Sequence, residues 1–169
     1  MRSMTEETTF LDTSVFLCFF IEGKSVLETL PENLITSTNV IEELTYILIK
    51  HKAEETRDEK HYETLSFLRG NPSYIIEIFE EIKRDIETVL TTLSIKVVEP
   101  ADFQRMWNII EKYGLLPNDA LISATCRLYG IGRIATFDED FKKVDLLEVL
   151  KPQEAVETSH EKICGDTDE

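Results

Sequence analysis

The chain has 169 residues, 42% hydrophobic and 30% charged, and 33 acidic against 18 basic side chains give a formal charge of −15. That length suits one domain able to bury roughly 70% of the surface exposed on unfolding, and every apolar run is too short for the ~18–20 residues of a membrane-spanning helix. So acidic a chain excludes binding a polyanion by general electrostatics, because affinity for nucleic acid comes largely from Lys and Arg set against phosphates; any function on nucleic acid needs cations to supply part of the attraction.

Residues 1–8 are polar and expected to fray. Thr9 to Leu11, followed by Asp12, Thr13 and Ser14, read as a short strand that ends in an acid, with hydroxyls available to open a helix. The apolar run 15–21 is the buried helix that follows. It succeeds an acidic segment rather than the basic start of a signal peptide, so a cytoplasmic protein is expected. Gly23 and Lys24 end it, and 25–30 form a short helical piece before Pro31. Leu34, Ile35 and Thr36 make a second strand, and Ser37 or Thr38 opens a helix over 39–50.

That helix can be read by angle. With Val40 at zero and 100° per residue, Leu44, Ile47 and Leu48 fall at about 40°, 340° and 80°, so the apolar stripe centres near 40°. Glu43, at about 300°, borders the stripe, whereas Glu42, at about 200°, faces away.

Residues 51–69 alternate in charge and are predicted helical, with Tyr62, Leu65 and Leu68 as the packed face. Gly70, Asn71, Pro72 and Ser73 break the pattern. A long amphipathic helix follows over 74–93, carrying Ile75, Ile78, Ile82, Ile86, Val89 and Leu93 at helical spacing. The pair is expected to form a helical hairpin lying on the sheet. Residues 95–98 are a third strand, and 102–113 a helix with Phe103, Met106, Trp107 and Ile110 inward, which makes Trp107 a core residue rather than a platform for stacked bases. In the next stretch Asn118 or Asp119 caps a helix and Gly130 lies just past its end. Then come a strand over 134–137, the acids Asp138, Glu139 and Asp140, and a last strand over 146–150. Residues 1–152 read as one domain, and 153–169 as an acidic, disordered tail.

Cys18, Cys126 and Cys164 are odd in number and widely spaced, which fits reduced thiols rather than a disulfide framework or a zinc site. His51, His61 and His160 lie in charged or tail segments, so a histidine-based site is not expected. The chain carries no Gly-x-Ser-x-Gly elbow and no glycine-rich phosphate loop.

The acids carry the chemistry. Asp12, Glu43, Asp119 and Asp138 each stand at a strand end or near a helix start, the edge at which open α/β sheets bind ligands. Singly, they could be helix caps worth about 1 kcal/mol, rim charges or turn residues. Together they fit a metal site better, because crowded carboxylates repel one another unless a divalent ion neutralises them. Oxygen donors without His or Cys favour Mg²⁺ or Mn²⁺ over zinc.

Four motifs, spread in order over roughly residues 9–150, carry a resemblance. They are Phe10-Leu11-Asp12-Thr13-Ser14-Val15, Ile35-Thr36-Ser37 through Val40-Ile41-Glu42-Glu43-Leu44, Asn118-Asp119-Ala120-Leu121-Ile122 and Ala135-Thr136-Phe137-Asp138-Glu139-Asp140-Phe141. In these the chain resembles a PIN-domain nuclease, the fold of many prokaryotic toxin ribonucleases. The resemblance implies a three-layer α/β/α fold with a central, mostly parallel sheet of four to five strands and a long helical hairpin. It implies catalytic, metal-binding acids at Asp12, Glu43, Asp119 and Asp138, with Asp140 as a further ligand or support, and supporting polar roles for Thr13, Ser14, Asn118 and Thr136. The implied reaction is hydrolysis of RNA phosphodiesters with Mg²⁺ or Mn²⁺, leaving 5′-phosphate and 3′-hydroxyl ends. Lys24, Lys50, Arg127, Lys142 and Lys143 are candidates for holding flanking phosphates. The implied partners are an RNA substrate, an antitoxin protein and a second copy of the chain. Region 51–93 is longer than in a minimal toxin of this kind. Two other readings stay open: a PIN-like scaffold that binds RNA or protein without cutting, and a phosphatase or receiver domain built on Asp138 and Asp140.

Overall fold

The computed structural model describes residues 8–57 and 61–154. Five strands form one fully parallel sheet: β1 (Thr9–Leu11), β2 (Leu34–Ser37), β3 (Lys96–Val98), β4 (Arg133–Ala135) and β5 (Glu148–Leu150). Their order is β3-β2-β1-β4-β5. β1 is central and all three of its residues are fully buried, as a strand covered on both faces requires. Leu11 pairs with Ala135 of β4, and Phe10 with Ile35 of β2.

The chain steps outward from β1 to β2 to β3, then returns to lay β4 on the other side of β1. The strand order therefore reverses between β1 and β4, and a crevice opens beyond their carboxyl ends. Asp12 follows β1 directly, and Thr136 and Asp138 follow β4.

Among the described residues six helices complete a three-layer α/β/α architecture: α1 (Thr13–Phe20), α2 (Thr38–Arg57), α3 (His61–Gly70), α4 (Pro72–Thr92), α5 (Phe103–Tyr113) and α6 (Pro117–Leu128). The larger core gathers Phe10, Phe16, Val40, Leu44, Ile82, Ile86, Ile134 and Phe141. A smaller one forms where α5 meets α6, around Ile109, Leu115, Ala120 and Ala124. Cys18 and Cys126 are buried free thiols, and burial lifts the Cys126 thiol far above its ordinary range.

Several expectations need correction. The helix begun at Thr38 continues to Arg57, so the charged stretch divides between its end and the separate α3. Tyr62 is 86% exposed, while Thr64 and Leu68 are buried. Thr64 and Leu68, four apart, share one face of α3, and Tyr62 lies about 200° from Thr64. On α5 the inner face is Ile109 with Met106, Ile110 and Tyr113. Phe103 and Trp107 are each 54% exposed and meet edge to face at 5.0 Å. Trp107 is two residues, hence about 200°, from Ile109, so the apolar stripe of α5 is wider than the surface that α6 covers.

α6 opens at Pro117 with Leu116 as its N-cap. Proline at the first helical position needs no N–H partner, so Asn118 and Asp119 fall inside the first turn instead of capping it. Gly130 does lie just past the helix end, at φ 66°. β4 ends at Ala135 because the chain turns at Thr136 to Asp138 into the 3-10 segment Glu139–Lys143. No helix among the described residues is long and apolar enough to cross a membrane. Residues 1–7, the tail from 155 onward, Cys164, His160 and the His61 side chain lie outside the described residues.

Candidate metal centre

Asp12 occupies the N-cap position of α1 and is only 6% exposed. Its Oδ2 accepts from the hydroxyls of Ser14 and Thr136, each at 2.7 Å. Both hydroxyls are themselves engaged. Ser14 Oγ accepts from the Phe137 amide at 3.1 Å, and Thr136 Oγ1 from the Asp138 amide at 2.9 Å. The loop after β4 is thus pinned to the loop after β1 through one carboxylate oxygen. Burial pushes the Asp12 carboxyl above its ordinary range, against the pull of these donors.

Glu43 lies half-buried on the first part of α2, while Glu42 faces solvent. Its Oε2 accepts from Thr13 Oγ1 at 2.6 Å and from Asn118 Nδ2 at 2.7 Å. Asn118 Oδ1 accepts from Asn39 Nδ2 at 3.1 Å, and Asn39 Oδ1 accepts from Ser37 Oγ at 2.7 Å. This last link fixes which way the Asn118 amide faces. Ser37 and Asn39 are members of the network that sequence reasoning missed. One signal was available, because Asn39 stands four residues before Glu43 and so on the same face of α2.

Asp119, in the first turn of α6, brings the acids together. Ligand oxygens of Asp119, Asp138 and Asp140 all lie within 4.8 Å of one another. Burial, followed in order by the charges of Asp138, Asp12, Asp140 and Glu43, raises the Asp119 pKa to about 6. No side chain or main-chain N–H among the described residues donates to its carboxylate. Asp138 accepts from the Asp140 amide at 2.8 Å, which closes the start of the 3-10 turn and sets the spacing of the two acids.

Asp119, Asp138 and Asp140 thus come together, whereas Asp12 and Glu43 stand outside that group of three but near enough for their charges to be felt at Asp119. Ser14 and Thr136 hold Asp12, and Thr13 and Asn118 hold Glu43. The donor set is all carboxylate oxygen and dense in negative charge, with one half-buried member lacking any donor. That chemistry suits a hard divalent cation.

Four of the five basic residues named above are tied into ion pairs. Lys24 meets Glu22 at 3.3 Å and Glu154 at 3.0 Å, and Lys50 meets Glu54 at 3.1 Å. Lys143 meets Asp140 at 2.6 Å, and Lys142 pairs with Glu139. Only Arg127 of the five has no ion pair among the described residues.

The chain is similar to two proteins of Methanocaldococcus jannaschii. It is 31% identical to Ribonuclease VapC2 over 88% of this chain and 96% of that one. To Ribonuclease VapC6 it is 29% identical, over 88% and 99%. In fold it is similar to a chain of a toxin–antitoxin complex from Klebsiella pneumoniae, with a TM-score of 0.56 at 18% identity over 88% of this chain and all of that one. The sequence pattern of the PIN domain matches residues 9–147, and the chain belongs to the PIN domain family.

Proposed function

We propose that this chain is an endoribonuclease that hydrolyses RNA phosphodiesters with the help of Mg²⁺ or Mn²⁺, and that it is the toxin of a toxin–antitoxin pair. The observation that carries the reading is the Asp119 carboxylate, faced by four other acids and given no hydrogen-bond donor among the described residues. The names of the two archaeal relatives and of the Klebsiella complex support the same direction.

Asp119, Asp138 and Asp140 would hold the ion, with Asp12 and Glu43 completing the set. When bound, the ion would lower the pKa of a water and offset charge on the leaving oxygen. The chain's own part is positional. Ser14 and Thr136 aim the Asp12 carboxylate, and Thr13 and Asn118 aim Glu43. The Cys18 and Cys126 thiols are buried and play no part; as the family resemblance implies, the attacking group is water and the products carry 5′-phosphate and 3′-hydroxyl ends. The net charge of −15 makes RNA binding itself dependent on the cation. An antitoxin that inserts a basic side chain among these acids would pair with a carboxylate and silence the site; a second copy of the chain is a further expected partner.

The test is end analysis of the RNA products. Ligation to a 3′-adaptor without prior phosphatase treatment supports the reading, whereas 2′,3′-cyclic phosphate ends would contradict it. Metal binding with no cleavage of any RNA would leave the scaffold reading in its place.

A further inference from the structure

Next to the acids lies a cavity of about 450 Å³ lined by Ser14, Leu17, Cys18, Glu22, Lys24 and Phe137. Its size falls within the ~300–1,000 Å³ of small-molecule sites, and its apolar floor with few polar groups at the edge has their character. Two lining residues tie it to the acids. The Ser14 hydroxyl bonds Asp12 at 2.7 Å and accepts the Phe137 amide at 3.1 Å, and Phe137 itself stands between Thr136 and Asp138. A nucleotide whose phosphate lies at the acids therefore has this cavity for its neighbour.

The polar edge is built on Lys24, which stands between Glu22 and, at 3.0 Å, Glu154. Glu22 and Lys24, with side chains 56% and 44% exposed, face each other at 3.3 Å, and the Cys18 thiol donates to Glu22 at 3.8 Å. A carboxylate that accepts two hydrogen bonds thus stands beside an ammonium that donates. Guanine presents the complement, two N–H donors (N1 and N2) next to the O6 acceptor. Adenine and cytosine offer a single amino group and uracil a single N–H, so none of these uses both carboxylate oxygens.

We propose that this cavity is a base-reading subsite that takes a guanine next to the scissile phosphodiester, with Leu17 and Phe137 against the ring, Glu22 accepting from N1 and N2, and Lys24 donating to O6. The choice of a nucleobase rests on the ribonuclease reading.

Binding of neutral nucleosides tests the subsite without metal or cleavage. Guanosine, adenosine, cytidine and uridine are titrated into the full chain while amide NMR signals of Leu17, Cys18 and Phe137 are followed. In parallel, the bases flanking cut sites are mapped on a mixed RNA pool. Guanosine is expected to shift these signals saturably and at least tenfold more tightly than the others. Glu22→Gln and Lys24→Met, both at exposed positions, are each expected to weaken guanosine about tenfold or more, and Glu22→Gln to erase the guanine bias at cut sites. No shift with any nucleoside, or equal binding of all four that neither substitution changes, would overturn the proposal. So would self-association of the chain that Glu22→Gln abolishes, which would assign the cavity to a second copy. Guanosine binding lost in Glu22→Gln with no RNA cut keeps the subsite and discards the ribonuclease reading; cutting indifferent to base with no nucleoside bound does the reverse.

Discussion

The side-chain amide of Asn118 donates to Glu43 Oε2 at 2.7 Å, joining residues 75 positions apart in the chain. It ties the first turn of α6, which follows α5, to α2, which follows β2. Because Asn39 and Ser37 fix the orientation of the amide, Asn118 holds a carboxylate in place and is held itself.

Asn118→Ala should therefore act through Glu43. Partners of this kind, one shell out from a ligand, typically change metal affinity 10–100-fold. Mn²⁺ affinity by calorimetry is expected to fall within that range, with the metal-free fold weakened by about 1–2 kcal/mol. Unchanged affinity would mean that Glu43 lies outside the ion's set.

Thr136 tests the pin between the two loops. Its hydroxyl donates to Asp12 and accepts from the Asp138 amide at a site only 1% exposed. Thr136→Val removes one of the two donors to Asp12 Oδ2 and leaves the part-buried Asp138 amide without its acceptor, at a cost of about 1–3 kcal/mol. Urea denaturation should show that loss, and Thr136→Ser should recover most of it. Equal stability of all three proteins would refute the pin.

That Asp119 and Asp138 come near one another, with Asp12 and Glu43 close by, was legible in the sequence because each stands at a strong local signal: a strand end for Asp12 and Asp138, an apolar stripe bordering Glu43, a helix start for Asp119. The parallel sheet was legible for a similar reason, as short apolar strands alternate with helices. What sequence periodicity could not give is which half of a wide apolar stripe finds a neighbour. Trp107 and Tyr62 lie on faces that no other helix among the described residues covers, and only tertiary placement decides that. Nor could it separate a helix opened by Asn118 from one opened by Pro117, since both are good starts and the choice was made by the demands of Glu43 and Asn39 on the Asn118 side chain.

Exposed aromatics should be cheap to remove. With Trp107 54% exposed, Trp107→Ala is expected to cost under about 1 kcal/mol, against about 2–5 kcal/mol for Leu44→Ala in the filled core. Thermal unfolding of the two variants checks the corrected face of α5, and a large loss at Trp107 would restore it to the core.

Asp119 gives a pH signature. Its pKa in the folded chain, about 6, exceeds the ordinary 3.8, so the protonated carboxyl favours the folded state. That stability is fully present below about pH 3.8 and is lost as pH rises through about 6. Above pH 6 the charged group costs the metal-free fold about 1–3 kcal/mol, the upper figure being the full linkage value and the lower allowing for water at a half-open site. Asp119→Asn should thus raise the metal-free melting temperature at pH 7.5 and change it little near pH 4. Apparent Mn²⁺ affinity should climb with pH up to about 6 and then level. A variant less stable than wild type at pH 7.5 would show that the carboxylate serves the fold instead.

Cleavage of a mixed pool of 5′-labelled RNAs by wild type and Asp119→Asn, each with Mn²⁺, with Mg²⁺ and with EDTA, addresses the central claim most directly. The expected result is cutting by wild type with either ion, none in EDTA, and a loss of at least 100-fold in Asp119→Asn. Cutting that survives EDTA, or that Asp119→Asn carries out as fast as wild type, would contradict it.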